Sequence, residues 1–79
     1  MFNLSIIALD KKLYEGNSLS LTVPGIDGEL TILTNHIPLI TPLGKGKMKL
    51  KTEKEEISFQ IKSGVLEIKP KKVMVLASV

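Results

Sequence analysis

Apolar and polar residues alternate along much of this chain, with the period of two that half-buried β-strands show. The clearest runs are residues 18–23 (SLSLTV), 45–51 (KGKMKLK) and 57–62 (ISFQIK). No window keeps apolar residues at the i, i+3, i+4, i+7 spacing of a helix for long. The pattern therefore predicts a protein built from strands.

Turn signals separate these runs about every 8–10 residues, which is typical of all-β sandwiches and barrels. We predict a single all-β domain spanning residues 1–79, a small sandwich or flattened barrel of about eight to ten short, mainly antiparallel strands. Pro24 with Gly25, and later Pro42, are expected to end strands, because proline cannot donate to a strand ladder. Residues 37–40 are predicted to form an edge strand around Pro38.

Three segments are apolar on both faces of their predicted strands: Ile6 with Ile7, Val65 with Leu66, and residues 73–76 (VMVL). The last of these is expected to be central or interface-facing. A domain of 79 residues buries only roughly 60% of its unfolded surface. We therefore expect a permanent partner to cover part of this apolar surface.

Composition narrows the classes of function. The chain has no cysteine, which excludes disulfides, thiolate metal sites and cysteine nucleophiles. All eleven basic residues are lysines against eight carboxylates, and the lack of arginine argues against sequence-specific reading of nucleic acid. No apolar run reaches the ~20 residues of a membrane helix, and the first residues lack a basic leader, so we expect a soluble protein.

The alternating lysines at positions 45, 47, 49 and 51 admit two interpretations. One is the basic face of a small nucleic-acid-binding barrel, which would need aromatic stacking platforms. The other, which we favour, is a row of solvated side chains that protects a sheet edge. Only Phe2, Tyr14 and Phe59 are aromatic, and Phe59 shares an apolar face with its neighbours.

Residues 23–39 hold the groups that could carry chemistry, including Glu29 and the only histidine, His36. One histidine without a second histidine or a cysteine does not make a zinc site. Nothing in the spacing supports a serine triad, and Glu29 could pair only with Asp27 or Glu67 for acid–base work. Residues 44–47 (GKGK) fail the phosphate-loop pattern. We predict no catalytic, cofactor or metal site, and a contact role for this stretch.

The same stretch carries a resemblance to a known family. The string P-G-x-x-G-E-L-x-I-L-x-x-H-x-P-L runs from Pro24 to Leu39, after residues 13–16 (LYEG) and before 63–68 (SGVLEI) and 73–77 (VMVLA). In this order and spacing, the chain resembles the N-terminal β-sandwich domain of the epsilon subunit of bacterial F-type ATP synthases over its whole length. It departs from the family pattern at Thr31 and Thr34, where glycine and proline are usual, at Asn35, where glycine is usual, and at Ser63, the first position of a glycine pair.

The resemblance implies a ten-stranded sandwich on the rotor of a proton-translocating ATP synthase. It implies a non-catalytic subunit without cofactors that couples rotation to ATP synthesis, binding the gamma subunit along one side and the c-ring loops at one end. By position, the partner-binding residues would be Ile26, Asp27, Gly28, Glu29, His36, Ile37 and Pro38. The location would be peripheral, at the cytoplasmic face of the bacterial plasma membrane, without membrane insertion or nucleic-acid binding.

Many members of this family continue into a C-terminal helical hairpin that inhibits ATP hydrolysis and, in some, binds ATP. The sequence ends at Val79, before such a segment. We therefore expect the domain to lack those two roles, either as a short form or as the sandwich part of a longer protein.

Overall fold

The computed structural model describes residues 1–9, 11–34 and 37–79. These residues form nine strands, which confirms the all-β prediction and the range of eight to ten strands. The strands are β1 (Phe2–Ala8), β2 (Lys11–Ser18), β3 (Ser20–Gly25), β4 (Gly28–Ile32), β5 (Leu39–Leu43), β6 (Gly46–Lys51), β7 (Glu56–Ile61), β8 (Ser63–Ile68) and β9 (Val73–Ser78). No helix among the described residues has the length and apolar character needed to cross a membrane.

The strands form one curled sheet that folds into two layers. Strands β2, β1, β9, β8 and β5 make the first layer in that order, and β4, β3, β6 and β7 make the second. Neighbours pair antiparallel except β1 and β9, which run parallel. As expected from its two apolar faces, β9 is central and lies between β1 and β8.

Strands β5 and β6, and likewise β7 and β8, follow each other from one layer into the other and keep the same pairing register. In the first layer Leu43 of β5 pairs with Gly64 of β8. In the second layer Gly46 of β6, three residues after Leu43, pairs with Ile61 of β7, three residues before Gly64. Strands β5 to β8 are therefore one long hairpin, folded back at residues 52–55 and bent near its middle. Such bends let one strand serve two packed sheets. We call this join between the layers the corner.

Small residues make the corner possible. A Cβ added to Gly64 would lie 2.7 Å from the Leu76 carbonyl oxygen, and one added to Gly46 would lie 2.8 Å from the Pro24 Cβ. The two layers also pair directly here, between Gly25 and Leu43. One continuous row of paired residues crosses the first layer from this point: Leu43, Gly64, Ala77 and Ala8.

The inward faces of the two layers pack into one core. The first layer contributes residues such as Leu4 and Leu66, and the second contributes residues such as Leu50, all with no exposed surface. The core cluster comprises Phe2, Leu4, Ile6, Leu21, Val23, Ile32, Leu43, Met48, Leu50, Ile61, Leu66, Ile68, Val73, Val75 and Ala77. The alternation that predicted the strands therefore also identified most of the inward side chains.

The predictions for the prolines were correct in part: β3 ends at Gly25, as expected for Pro24 with Gly25, whereas β5 continues one residue past Pro42. Pro24 lies inside β3 opposite Glu29, and Pro42 lies inside β5 opposite Val65. Ile37 and Pro38, predicted to be in an edge strand, precede β5. An edge strand tolerates proline because the missing N–H can face the unpaired side, and β5 has β8 as its only ladder partner at Pro42.

The favoured interpretation of the alternating lysines was also wrong in one respect. Strand β6, which carries three of them, is not an edge, because it pairs with β3 on one side and with β7 on the other. Its lysines are exposed while Met48 and Leu50 between them are buried. They are solvated, as expected, but an interior strand has no edge to protect.

Candidate functional site

The turn between β3 and β4 is the first feature of the predicted contact stretch. Gly25 pairs with Gly28, which leaves a two-residue loop of Ile26 and Asp27. Gly28 has φ +135°, which disfavours residues with a side chain. A Cβ on Gly25 would lie 2.6 Å from the Gly28 carbonyl oxygen. Glycines thus allow a tight turn that presents Ile26 to solvent, with 64% of its surface exposed.

Glu29 follows this turn on the open edge of β4. It is exposed, and none of the ion pairs found among the described residues involves it. Its strand partner Pro24 has no N–H, and the Pro24 carbonyl accepts a hydrogen bond from the Gly44 N–H at 2.7 Å, on the side away from β4. The Glu29 carboxylate and main-chain groups therefore remain available at the edge of the second layer.

Two adjoining depressions lie between β4 and β5, where the layers are not joined. The first, of about 330 Å³, is lined by residues 25–30 with Leu39, Thr41 and Pro42. The second, of about 350 Å³, is lined by residues 30–34 with Ile37, Leu39, Leu66 and Ile68. They share Leu30 and Leu39. We call this open side of the sandwich the seam.

The structure brings most of the predicted partner-binding residues to the seam. Ile26, Asp27, Gly28 and Glu29 line the first depression. Ile37 lines the second, and 82% of its surface is exposed. Pro38, beside it, is exposed. His36 and the turn predicted at Asn35 lie outside the described residues.

Sequence reasoning missed the other residues of the seam, chiefly Leu30, Leu33 and Leu39. Leu30 is 36% exposed, although it lies on the same face of β4 as Ile32, which is only 5% exposed. Leu39 is 46% exposed, while Leu43 on the same face of β5 is 3% exposed. The periodicity of apolar residues shows which face of a strand a side chain lies on. It does not show whether another strand covers that face. The one local signal is Leu33, which breaks the alternation at the end of β4.

A second apolar surface lies on the outer face of the first layer. Cross-strand pairing places Pro42 beside Val65, Val65 beside Leu76, and Leu76 beside Ile7. Val65 and Leu76 are 41% and 49% exposed. We call these four residues the outer apolar row. Such a patch is the usual mark of an interaction surface, which agrees with the expectation from the segments that are apolar on both faces.

Charge at the seam comes mainly from Asp27 and Glu29. The Lys12 ammonium forms a hydrogen bond and an ion pair that lower the pKa of Glu15, but both residues are on β2, away from the seam. Among the described residues, no group of three or more potential metal-ligating side chains occurs. The seam thus combines apolar depressions with a carboxylate and exposed strand-edge groups, which are features suited to binding a partner.

Comparison with known proteins places this arrangement in a family. The whole chain, residues 1–79, matches the family model for the β-sandwich domain of ATP synthase delta/epsilon chains. Two ATP synthase epsilon chains from Dehalococcoides mccartyi, strains BAV1 and CBDB1, are each 38% identical to it over 74 residues. The match covers 94% of this chain and 53% of each relative. The chain therefore spans about half the length of these curated relatives.

Solved structures share the fold at low sequence identity. A chain in the mitochondrial ATP synthase of Euglena gracilis, in a structure of its OSCP, F1 and c-ring, superposes with a TM-score of 0.91 at 16% identity, covering 99% of this chain and 51% of the other. A chain in the central stalk and c-ring of the Tetrahymena thermophila mitochondrial enzyme gives 0.86 at 10% identity, covering 99% and 63%. The family match over all 79 residues, with the fold built from them, confirms the resemblance seen in the sequence: the chain belongs to the family of ATP synthase delta/epsilon chains, through their β-sandwich domain.

Proposed function

We propose that this chain is a non-catalytic rotor subunit of a proton-translocating F-type ATP synthase. It joins a gamma-type subunit to the c ring and transmits rotation between them, and its part in ATP synthesis is mechanical. The observation that carries this proposal is the pair of separate exposed apolar surfaces, the seam and the outer apolar row, on a member of the delta/epsilon family. Its position is peripheral, at the cytoplasmic face of a bacterial plasma membrane.

The seam end is the surface proposed to meet the polar loops of the c ring. Ile26 and Ile37 supply exposed apolar contacts, and Asp27 and Glu29 supply negative charge. Carboxylates at the rim of an interface attract basic groups on a partner and fix its register more than they add affinity. His36 and Pro38 belong to the same proposed contact by their position in the family pattern.

The outer apolar row is the surface proposed to meet gamma. Its four residues continue toward the seam through Ile40, which is 69% exposed and lies on the outer face two residues before Pro42. A long apolar row flanked by charged side chains such as Glu67 and Lys12 suits the apolar stripe of a helical partner. Two surfaces on different sides allow both partners to bind at once.

Reconstitution with separate partners tests the two assignments. Glu29→Lys should lower capture by purified c ring by roughly tenfold or more, because it sets a positive charge against basic loops, and should leave capture by gamma unchanged. Leu76→Lys should lower capture by gamma on the order of thirtyfold, as expected for an interface hot spot, and should leave capture by the ring unchanged.

Two matched variants serve as controls. Glu53→Lys makes the same charge reversal in the loop after β6, at the far end of that strand from the corner, and Leu19→Lys makes the same change at an exposed leucine between β2 and β3. Both should bind gamma and the ring like the wild type. If Glu29→Lys and the wild type capture the c ring equally well, the seam is not the c-ring contact. If the wild type captures neither gamma nor the c ring, the proposed function is wrong.

A further inference from the structure

The outer face of the second layer carries a cluster of lysines that the proposed contacts do not use. Lys47, Lys49 and Lys51 project outward from β6. Lys45 and Lys62 are exposed and adjoin the paired residues Gly46 and Ile61 at the corner. We call these five residues the lysine face.

Lysines outnumber carboxylates on and beside this face. Glu56 is 3.9 Å from Lys49, in an ion pair whose two side chains are about half exposed, and exposed pairs of this kind contribute little. Glu29, at the edge of β4 and opposite Pro24, is a second carboxylate, and the loop between β6 and β7 adds Glu53 and Glu55 with Lys54 between them. The face therefore has an excess of positive charge that an anionic partner would relieve.

The remaining side chains of the face are short and polar. Ser58 and Gln60 pair with Lys49 and Lys47, and Thr22 pairs with Lys49 from the other side. The Thr22 hydroxyl lies 3.3 Å from that of Thr31 on β4. Among the described residues, the outward positions of β3, β6 and β7 therefore hold no aromatic or large aliphatic side chain, and successive lysines stand about 7 Å apart along β6.

We propose that the lysine face binds the headgroup surface of an anionic lipid bilayer. This inference deepens the proposed function and rests on it for the choice of partner, because the face borders the same β3–β4 turn that is proposed to meet the c ring. Lysines near an anionic membrane each add a favourable electrostatic contribution. The lack of insertable apolar groups on the face makes the binding peripheral and sensitive to salt.

The chemistry of the face favours lipid over nucleic acid. Lysine ammonium groups are compact point charges, whereas guanidinium groups provide the bidentate contacts that read phosphate and base geometry. Single-stranded nucleic acid also needs aromatic platforms, and Phe59, the aromatic residue of β7, is partly buried and packs against the core. A diffuse anionic surface requires neither feature.

Vesicle co-sedimentation with the full chain tests the proposal. The wild type should bind vesicles containing phosphatidylglycerol at low salt, lose binding as salt is raised, and ignore pure phosphatidylcholine. The triple variant K47Q/K49Q/K51Q should lose on the order of tenfold or more in apparent affinity. The matched triple K11Q/K69Q/K71Q removes the same number of charges outside the face and should lose less than about threefold.

A third variant, K47R/K49R/K51R, keeps the charge and should keep binding, and thermal unfolding of all variants checks that they fold. Equal losses in the two glutamine triples would overturn the proposal, because net charge alone would then explain binding. So would tighter binding of a single-stranded oligonucleotide at the same salt, or binding to phosphatidylcholine. If the wild type captures the c ring but not the anionic vesicles, only this inference fails. If it binds vesicles but not the ring, the proposed function fails instead.

Discussion

The corner and the seam are two places where the layers of the sandwich come together. The layers are joined at the corner and remain open at the seam. At the corner, the strands pass from one layer to the other in unbroken register, and residues such as Leu43 are buried. At the seam, β4 and β5 remain apart, and the leucines between them stay partly exposed. Both regions use apolar residues on the inward faces of strands, yet only one of them completes the core.

This difference separates the closed part of the core from the exposed apolar surface within one small domain. The corner packs backbone so closely that a Cβ at Gly64 would clash with the Leu76 carbonyl oxygen, and its inward side chains such as Leu43 are buried. The seam leaves apolar surface, a carboxylate and free strand-edge groups accessible. A domain of 79 residues can therefore close its core at one side and leave apolar surface open at the other.

The largest expected contrast comes from two leucines on the same face of β5. Leu43→Ala at the corner should lower the free energy of unfolding by about 3 kcal/mol, because it opens a cavity in the closed core. Leu39→Ala at the seam should cost about 1 kcal/mol or less, since almost half of that side chain is already exposed. Urea denaturation of both variants measures the contrast. Similar losses would mean that the seam is as much a part of the core as the corner.

The next contrast compares two glycines near the corner. Gly64→Ala places a Cβ against the backbone at Leu76, at 2.7 Å, and should cost about 2 kcal/mol by overpacking. Gly44→Ala, whose nearest neighbour would be the Pro24 carbonyl oxygen at 3.9 Å, should cost no more than about 0.5 kcal/mol. Thermal melts of the two proteins provide the measurement. A tolerated Gly64→Ala would show that the corner can widen without loss.

The smallest expected effect on stability is at Glu29. Charge reversal to lysine should change the free energy of unfolding by no more than about 0.5 kcal/mol, because the side chain is exposed and has no ion pair among the described residues. The same variant is expected to lose c-ring binding, so the two readouts separate contact from folding. A stability loss above about 1 kcal/mol, absent in Glu29→Gln, would instead indicate a structural role for the charge.

Much of the fold was predictable from local patterns. Alternation located the strands that carry Leu21, Met48 and Ile61, and the Asp27–Gly28 pair marked the turn at the start of β4. Pro24 and Pro42 marked the ends of β3 and β5 to within one residue, but not that both prolines lie in paired strands, because a proline's effect depends on whether a second strand lies beside it. That neighbour is set by topology and is not encoded next to the proline.

The candidate site was predictable in part and for a different reason. Its turn and its carboxylate were found because glycine and glutamate are unusual between two apolar runs, and the family pattern then gave them a role. Leu30 and Leu39 were not found, because a strand pattern gives the direction of a side chain and leaves open what covers it. The lysines were seen, but their place on an interior strand was not.

The sequence by itself determined the class of fold, the positions of most strands, the inward set of side chains and the family. These follow from local geometry, since residues two apart share a face and turn residues interrupt a ladder. Only the tertiary structure decided that β5 to β8 form one bent hairpin, that the layers close at Gly25 and Leu43, and that they stay open between β4 and β5. Those outcomes depend on pairings between residues far apart in the chain, and the same pairings leave Leu39 exposed while Leu43 is buried.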